Sequence, residues 1–131
     1  MAQTPTTVLV VDDDRDLRDA VSLVLRMLGY AVEGAANGAE ALDTLGRHLP
    51  GVILLDMKMP VMDGWEFARQ ARSRFGPALP PIVVLTAAAN PAARAAEIGA
   101  AGWLGKPFEL DDLQDELARI MKGQAGSPAT P

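Results

Sequence analysis

The chain has 131 residues, 49% of them hydrophobic, with a formal net charge of −5 and no cysteine. This composition is ordinary for one globular domain. It excludes disulfide and thiolate chemistry and argues against direct binding to nucleic acid or to anionic membranes. No apolar run reaches transmembrane length and no signal peptide is evident, so we expect a cytoplasmic protein.

The first half of the chain predicts three strands and two helices. β-branched and apolar residues at 6–11 predict a buried strand that ends in three carboxylates, Asp12, Asp13 and Asp14. Apolar residues then recur at helical spacing, with Asp14 as the predicted N-cap and Gly29 as the predicted stop. The elements predicted in this half are, in order, strand 6–11, helix 15–28, strand 30–35, helix 39–49 and strand 52–55.

The third strand delivers a single carboxylate. Residues Val52 to Leu55 are all apolar, which indicates a strand buried on both faces, and Asp56 follows directly. A loop rich in Met and Pro comes next, with Asp63-Gly64 as a turn. An aspartate in this place is either functional or a cap or turn residue, and the later strands bear on that choice.

The second half continues the alternation of strands and helices. The predicted fourth strand, residues 82–85, ends at Thr86, and a short fifth strand, residues 102–105, leads into Lys106. An alanine-rich segment predicts a helix that starts near Asn90-Pro91 and stops at Gly99. The other segments predicted here are helix 64–75, a stiff connection over 76–81 and helix 110–121.

Five strands alternating with five helices predict a parallel sheet with right-handed crossovers and helices on both faces. The carboxyl ends of the strands in such a sheet share one rim, where ligands bind. The polar residues that follow the apolar strands converge there if strands one, three, four and five are neighbours. These residues are Asp12, Asp13, Asp56, Thr86 and Lys106.

This set of residues suits phosphoryl chemistry. Three carboxylates in one pocket repel one another, and a bound divalent cation relieves the repulsion. Oxygen ligands without nearby His or Cys favour Mg²⁺, which commonly also binds a phosphoryl oxygen. Lys106 offers a positive charge and Thr86 a hydroxyl donor for further phosphoryl oxygens. Asp56, alone on its strand, is the predicted nucleophile that forms an aspartyl-phosphate, and Asp12 and Asp13 are the predicted metal ligands.

Four stretches of the sequence together resemble a known family. VLVVDDD, VILLDMKMPVMDG, VVLTA and GWLGKPF, in this order and at these spacings, are similar to the receiver domain of two-component response regulators. The resemblance covers residues 6–122 and is to the single-domain, chemotaxis-regulator type. It implies a flavodoxin-like α/β fold, a doubly wound five-stranded parallel sheet in the order 2-1-3-4-5 with five helices.

The resemblance also implies roles for individual residues. Asp56 would be the phospho-acceptor and a Mg²⁺ ligand, with Asp13 as a direct ligand and Asp12 acting through water. Thr86 and Lys106 would take part in catalysis and sense the phosphoryl group. The bond from Lys106 to the following proline would be the family's cis peptide.

Three further positions concern the metal, the switch and the phosphoryl lifetime. The backbone carbonyl of Lys58 would be a metal ligand, and Lys58 and Ala88 are predicted to modulate the lifetime of the phosphoryl group. The family couples Thr86 to an aromatic residue on strand five, which here is Trp103 instead of the usual Tyr or Phe. The alternative is that Trp103 packs on the surface of the fourth and fifth helices.

The resulting prediction is a phosphorylation-controlled switch that catalyses its own phosphorylation and dephosphorylation, and not a conventional enzyme. A histidine kinase or phosphotransfer protein would donate the phosphoryl group. The face formed by the fourth helix, fifth strand and fifth helix would bind a downstream protein, and a phosphorylation-dependent homodimer is a further option. We expect residues 1–5 to be disordered and residues 123–131 to form a flexible tail or the stub of a linker.

Two other functions fit parts of the pattern. A Mg²⁺-dependent phosphatase of the haloacid dehalogenase type would use Asp12 as nucleophile, with Thr86 and Lys106 in later motifs, but it would leave Asp56 idle and lacks a late acidic pair. A flavodoxin-like FMN binder would need a Ser/Thr/Gly-rich phosphate loop after the first strand, and the sequence has three aspartates there.

Overall fold

The computed structural model describes residues 6–126, and the side chains of residues 6–122. Strands and helices alternate as the sequence predicts. The strands are β1 (Thr7–Val11), β2 (Ala31–Ala35), β3 (Val52–Asp56), β4 (Ile82–Thr86) and β5 (Gly102–Gly105). The helices are α1 (Arg15–Met27), α2 (Gly38–Arg47), α3 (Gly64–Phe75), α4 (Pro91–Ile98) and α5 (Leu110–Gly126), and a 3₁₀ turn covers Gly76–Ala78.

The five strands form one parallel sheet in the order β2-β1-β3-β4-β5. This confirms the predicted flavodoxin-like α/β fold and its strand order. Leu55 of β3 stands opposite Val11 of β1 and Val84 of β4, so these strands end at nearly the same level. Consequently β1, β3, β4 and β5 are neighbours, as the predicted convergence of polar residues requires.

Successive residues of each strand contribute side chains to two hydrophobic cores, one on each face of the sheet, because side chains alternate along a strand. One core joins the sheet to α1 and α5 through residues such as Val10, Leu54 and Leu117. The other joins it to α2, α3 and α4 through residues such as Leu55 and Phe67. Every residue of β3 is buried, including Asp56 at its end, which agrees with the four apolar residues that precede Asp56.

Side-chain caps begin the four helices α1 to α4. An oxygen of each capping side chain accepts a hydrogen bond from a backbone N–H in the first turn, which the helix itself cannot satisfy. The capping residues are Asp14, Asn37, Asp63 and Asn90. Each cap lies in the loop that follows a strand, so the caps also fix the chain where it leaves the carboxyl rim of the sheet.

Several predicted boundaries need correction. The second strand begins at Ala31 and not at Tyr30, because the Tyr30 amide donates to Leu25 O at 3.0 Å and closes α1, with Gly29 at φ 100°. Helix α2 ends at Arg47 and not at residue 49, because a residue before proline disfavours helical backbone and His48 is already extended.

The largest difference concerns the end of the chain. Helix α5 continues to Gly126, five residues beyond the predicted end at Met121. Residues 123–126, predicted as part of a flexible tail, are therefore helical, since extending a formed helix adds one hydrogen bond for each residue ordered. The predictions for residues 1–5 and for residues 127–131 lie outside the described residues. No helix within residues 6–126 has both the length and the apolar character needed to cross a bilayer.

Candidate functional site

The sheet brings the predicted polar residues together at its carboxyl rim. Asp12 and Asp13 follow β1, Asp56 ends β3, Thr86 ends β4 and Lys106 follows β5. One carboxylate oxygen from each of Asp12, Asp13 and Asp56 lies within 4.8 Å of the others. Three hard oxygen donors this close, without nitrogen or sulfur ligands beside them, suit a small divalent cation such as Mg²⁺.

The three carboxylates differ in their exposure to solvent. Asp12 is 1% exposed and Asp56 is 8% exposed, whereas Asp13 is exposed. A buried carboxylate needs hydrogen bonds or an opposite charge. Asp12 has both, since its Oδ1 accepts from the Asp14 amide at 2.9 Å and its Oδ2 lies 2.8 Å from Lys106 Nζ.

Lys106 is the cation of the site, and it lies between two carboxylates. Its Nζ is 2.8 Å from Asp12 Oδ2 and 3.7 Å from Asp56 Oδ1. Its backbone amide donates to Thr86 O at 2.7 Å, which ties the residue after β5 to the end of β4. The peptide bond from Lys106 to Pro107 is cis, as the resemblance implies.

The environment of Asp56 makes it a weaker acid than an ordinary aspartate. Burial raises its pKa, the charge of Lys106 opposes that rise and the charge of Asp12 adds to it, and the resulting pKa of Asp56 is about 6. Near neutral pH, Asp56 is therefore a carboxylate of raised basicity. A nucleophile needs that property together with access to its partner.

Asp56 opens into a cleft of about 340 Å³. The cleft is lined by Asp56, Lys58, Thr86, Ala87, Ala88 and Lys106. The backbone amide of Lys58 is 3.5 Å from Asp56 Oδ1, and its side chain is exposed at the rim. The buried Thr86 hydroxyl accepts from the Ala88 amide at 3.0 Å. The cleft therefore gathers the predicted acceptor, hydroxyl, cation and both predicted lifetime positions.

Trp103 lies away from this cleft. It is 47% exposed and shares a surface groove with Ala101, Glu116 and Arg119. Its neighbour Leu104 is buried, which agrees with side chains that alternate along β5. The indole is therefore on the outer surface beside α5 in this structure.

Sequence reasoning missed Arg18. This residue of α1 reaches back over the sheet, and its Nη1 lies 2.6 Å from the backbone oxygen of Asp12. The sequence gives a weak signal, namely an arginine in the second turn of a helix that begins beside the acidic residues. Only the packing of α1 on β2 shows where the side chain goes.

A model of the response regulator receiver domain matches residues 8–118. The chain belongs to the response regulator receiver domain family. The matched range includes every residue that lines the cleft beside Asp56. The haloacid dehalogenase and FMN-binding alternatives are not favoured by this match.

Proteins similar to this receiver domain include one-domain and longer regulators. The response regulator MprA of Mycobacterium sp. (strain KMS) is 42% identical over 120 residues, which cover 90% of this chain and 51% of MprA. The chain thus spans about half the length of the curated relatives that it matches.

Solved structures agree with the family. The chemotaxis response regulator CheY4 of Vibrio cholerae superimposes with a TM-score of 0.80 at 40% identity, covering 89% of this chain and 99% of CheY4. The response regulator TrrA of Thermotoga maritima, solved in complex with Mg²⁺–BeF, superimposes with a TM-score of 0.78 at 28% identity, covering 88% of this chain and 98% of TrrA.

Proposed function

We propose that this receiver domain accepts a phosphoryl group on the carboxylate of Asp56. Receiver domains of response regulators receive phosphoryl groups from histidine kinases. The observation that carries the proposal is the position of Asp56: it ends the buried strand β3, faces the cleft and lies among the carboxylates of Asp12 and Asp13 and the ammonium of Lys106.

The proposed reaction is a transfer from a phosphohistidine of a kinase or phosphotransfer protein. An oxygen of Asp56 attacks phosphorus, a P–O bond forms and the P–N bond of the donor breaks. The departing imidazole keeps the electron pair of that bond and takes up a proton. The pKa of Asp56, about 6, leaves this group ionised and basic enough to attack at neutral pH.

Mg²⁺ fits the acidic part of the site. Asp13 and Asp56 are the proposed direct ligands together with the backbone carbonyl of Lys58, and Asp12 is proposed to act through water. The spacing of the three carboxylates supports this set, as does the complex of the similar TrrA with Mg²⁺–BeF. Mg²⁺ would neutralise the charge that carboxylates and phosphoryl oxygens bring into one small volume.

Lys106 and Thr86 are proposed to bind the phosphoryl oxygens. Lys106 Nζ already lies within 3.7 Å of an Asp56 oxygen, so a group attached there comes within its reach. The Thr86 hydroxyl lines the same cleft and can turn from its bond with the Ala88 amide to donate to a phosphoryl oxygen.

The response to phosphorylation is proposed to involve Trp103. A movement of the Thr86 hydroxyl towards the phosphoryl group would change the space behind β4, next to β5. The face of α4, β5 and α5, on which Trp103 is half exposed, is the proposed surface for a downstream protein or for a second phosphorylated copy.

Lys58 and Ala88 are proposed to set the lifetime of the phosphoryl group, because both line the opening through which water reaches Asp56. Lys58→Ala removes a long cationic side chain from that opening, so we expect dephosphorylation in Mg²⁺ to become severalfold faster. Lys122→Ala, at an exposed position of α5, serves as the control for loss of a lysine charge. An unchanged rate in Lys58→Ala would remove Lys58 from this role.

Asp12 is poorly suited to be the nucleophile. Its two oxygens are held by the Asp14 amide and by Lys106, and its side chain is 1% exposed. Asp56 lines the open cleft instead.

The proposal is tested by incubating the chain with a small acyl phosphate. We expect one phosphoryl group to be gained, detected by intact mass, in Mg²⁺ and not in EDTA. Asp56→Asn should abolish the gain, whereas Asp14→Asn, which alters only the helix cap, should retain it. Equal phosphorylation of wild type and Asp56→Asn would contradict the assignment.

A further inference from the structure

Asp12 is held at four points by its surroundings. Its amide donates to Ala35 O at 3.1 Å, and its side-chain oxygens are bound by the Asp14 amide and by Lys106. The fourth contact is the bond from Arg18 Nη1 to its backbone oxygen, at 2.6 Å. Arg18 is thus attached to the peptide group that joins Asp12 to Asp13.

The side chain of Asp13 is constrained by fewer contacts than that of Asp12. Within the described residues, no hydrogen bond or ion pair to its side chain is found, and that side chain is exposed. Its carboxylate nevertheless lies within 4.8 Å of those of Asp12 and Asp56. The Asp12–Asp13 peptide, which is the group that Arg18 binds, helps to set the direction in which the Asp13 side chain leaves the backbone.

Gly34 of β2 has no side chain and so leaves room for Arg18 to reach that peptide. A Cβ atom at Gly34 would lie 3.2 Å from Arg18 Cδ and 3.4 Å from its Nε. The arginine side chain therefore lies across the glycine in the space that a larger residue would occupy. Gly34 and Arg18 act together, because the missing side chain of one leaves room for the other.

We propose that Arg18 is a positioning residue for the cation site: it orients the Asp12–Asp13 peptide so that the Asp13 carboxylate faces Asp56. This inference rests on the proposed binding of Mg²⁺ between those carboxylates. Positioning by a bound neighbour of a metal ligand is a known determinant of metal affinity.

Charge and position predict opposite effects of losing Arg18. A positive side chain near an acidic cation site repels the cation, so on charge alone Arg18→Met should bind Mg²⁺ more tightly. If Arg18 positions Asp13, the same substitution should weaken binding. The sign of the change in Mg²⁺ affinity therefore separates the two roles.

Three variants test the positioning role. Arg18→Met removes the contact and the charge, and Gly34→Val keeps every charge but crowds the arginine path in a residue type that suits a strand. Arg15→Met is the matched control, since it removes an α1 arginine whose side chain is 83% exposed and pairs with Asp19 at 3.8 Å. Mg²⁺ affinity is measured by calorimetry, and the backbone order parameter of Asp13 by NMR in EDTA.

We expect Arg18→Met to bind Mg²⁺ about tenfold more weakly and Gly34→Val to be weakened in the same direction. Arg15→Met should bind as tightly as wild type or slightly more tightly. The order parameter of Asp13 should fall in Arg18→Met below the value of about 0.85 that is typical of rigid backbone. Mg²⁺ binding by Arg18→Met that equals or exceeds wild type, with Asp13 as rigid as before, would overturn the inference.

Failure of the proposed function gives a different result. If the wild-type chain does not bind Mg²⁺, the cation site itself is refuted. The order parameter of Asp13 then still decides whether Arg18 orients the Asp12–Asp13 peptide, because it is measured without metal.

Discussion

Asp56→Asn should make the metal-free protein more stable at neutral pH. The substitution keeps the shape of the side chain and removes a buried negative charge that lies beside two other carboxylates. Lys106 does not lose its partner in the variant, because its shorter contact is with Asp12, at 2.8 Å. The variant therefore removes repulsion and burial of charge without leaving the ammonium group unpaired.

The size of the effect follows from the pKa of Asp56, which burial raises to about 6. An ordinary aspartate has a pKa of about 3.9, and each pH unit of difference corresponds to 1.36 kcal/mol. Ionising Asp56 in the folded state thus costs roughly 3 kcal/mol. Because the pKa of Asp56 is raised in the folded state, its protonated form contributes this amount to the stability of the fold. The contribution is fully present below pH of about 4 and is lost as the pH rises towards 6.

Urea denaturation in EDTA, followed by circular dichroism, measures this directly. Near pH 4 the variant and wild type should unfold at similar urea concentrations. At pH 7.5 the midpoint of Asp56→Asn should be higher by roughly 1.5 M, for a urea dependence of about 2 kcal/mol/M. Asp13→Asn is the control, since Asp13 is exposed and is the smallest contributor to the raised pKa of Asp56.

If Asp56→Asn is no more stable than wild type at pH 7.5, ionised Asp56 does not destabilise the folded protein. A gain that is equal at both pH values would also contradict the prediction, because the effect must then come from something other than ionisation of Asp56. Added Mg²⁺ should reduce the gain, since the cation stabilises the wild-type carboxylate and not the amide.

Three further substitutions or probes test other parts of the structure. Val61→Gly should raise the unfolding free energy, followed in thermal melts, by about 1 kcal/mol. The reason is that Val61 has the left-handed φ of 69° and its side chain is 82% exposed. Val61→Ala should raise the unfolding free energy by a smaller amount. Arg72→Met should lower the unfolding free energy by about 2 kcal/mol and speed hydrogen exchange in α4. The reason is that Arg72 donates to the carbonyls of Ile98 and Gly99 at the end of that helix. In a Trp65→Phe background, phosphorylation should shift the emission of Trp103 to shorter wavelength if the indole turns inward, whereas unchanged emission would place it on the surface in both states.

The sequence predicted the order of elements because its signals were strong and local. The runs before Asp12, Asp56 and Thr86 are wholly apolar, so each indicated a buried strand and the residue at its end. Glycine and proline at the boundaries predicted the start of α4 and its end at Gly99. The resemblance to the receiver domain family then followed from the order and spacing of these pieces, and the match over residues 8–118 confirms it.

The contacts within the site could not be predicted from the sequence. Lys106 was expected to serve the phosphoryl group, but its distance to Asp12 depends on the register of β5 against β4 and on the loop after it. The contact of Arg18 depends on how α1 crosses the sheet and on the gap at Gly34. The surface position of Trp103 likewise follows from which residues of β5 alternate inward.

Helix ends were predicted less well for a similar reason. Helix α5 passes the expected end at Met121 although Gly123 follows, because extending a formed helix adds one hydrogen bond for each residue ordered. The start of β2 depended on the bond from the Tyr30 amide to Leu25 O, which a strand-like residue type does not reveal.

The assignment of Asp56 as phospho-acceptor is tested most directly by identifying the residue that carries the phosphoryl group. The chain is incubated with a small acyl phosphate and Mg²⁺, the acyl phosphate on the protein is reduced with borohydride, and the modified residue is located by peptide mass spectrometry. We expect modification at Asp56 and none in Asp56→Asn. Modification at Asp12, with steady turnover of small phosphate esters, would contradict that assignment.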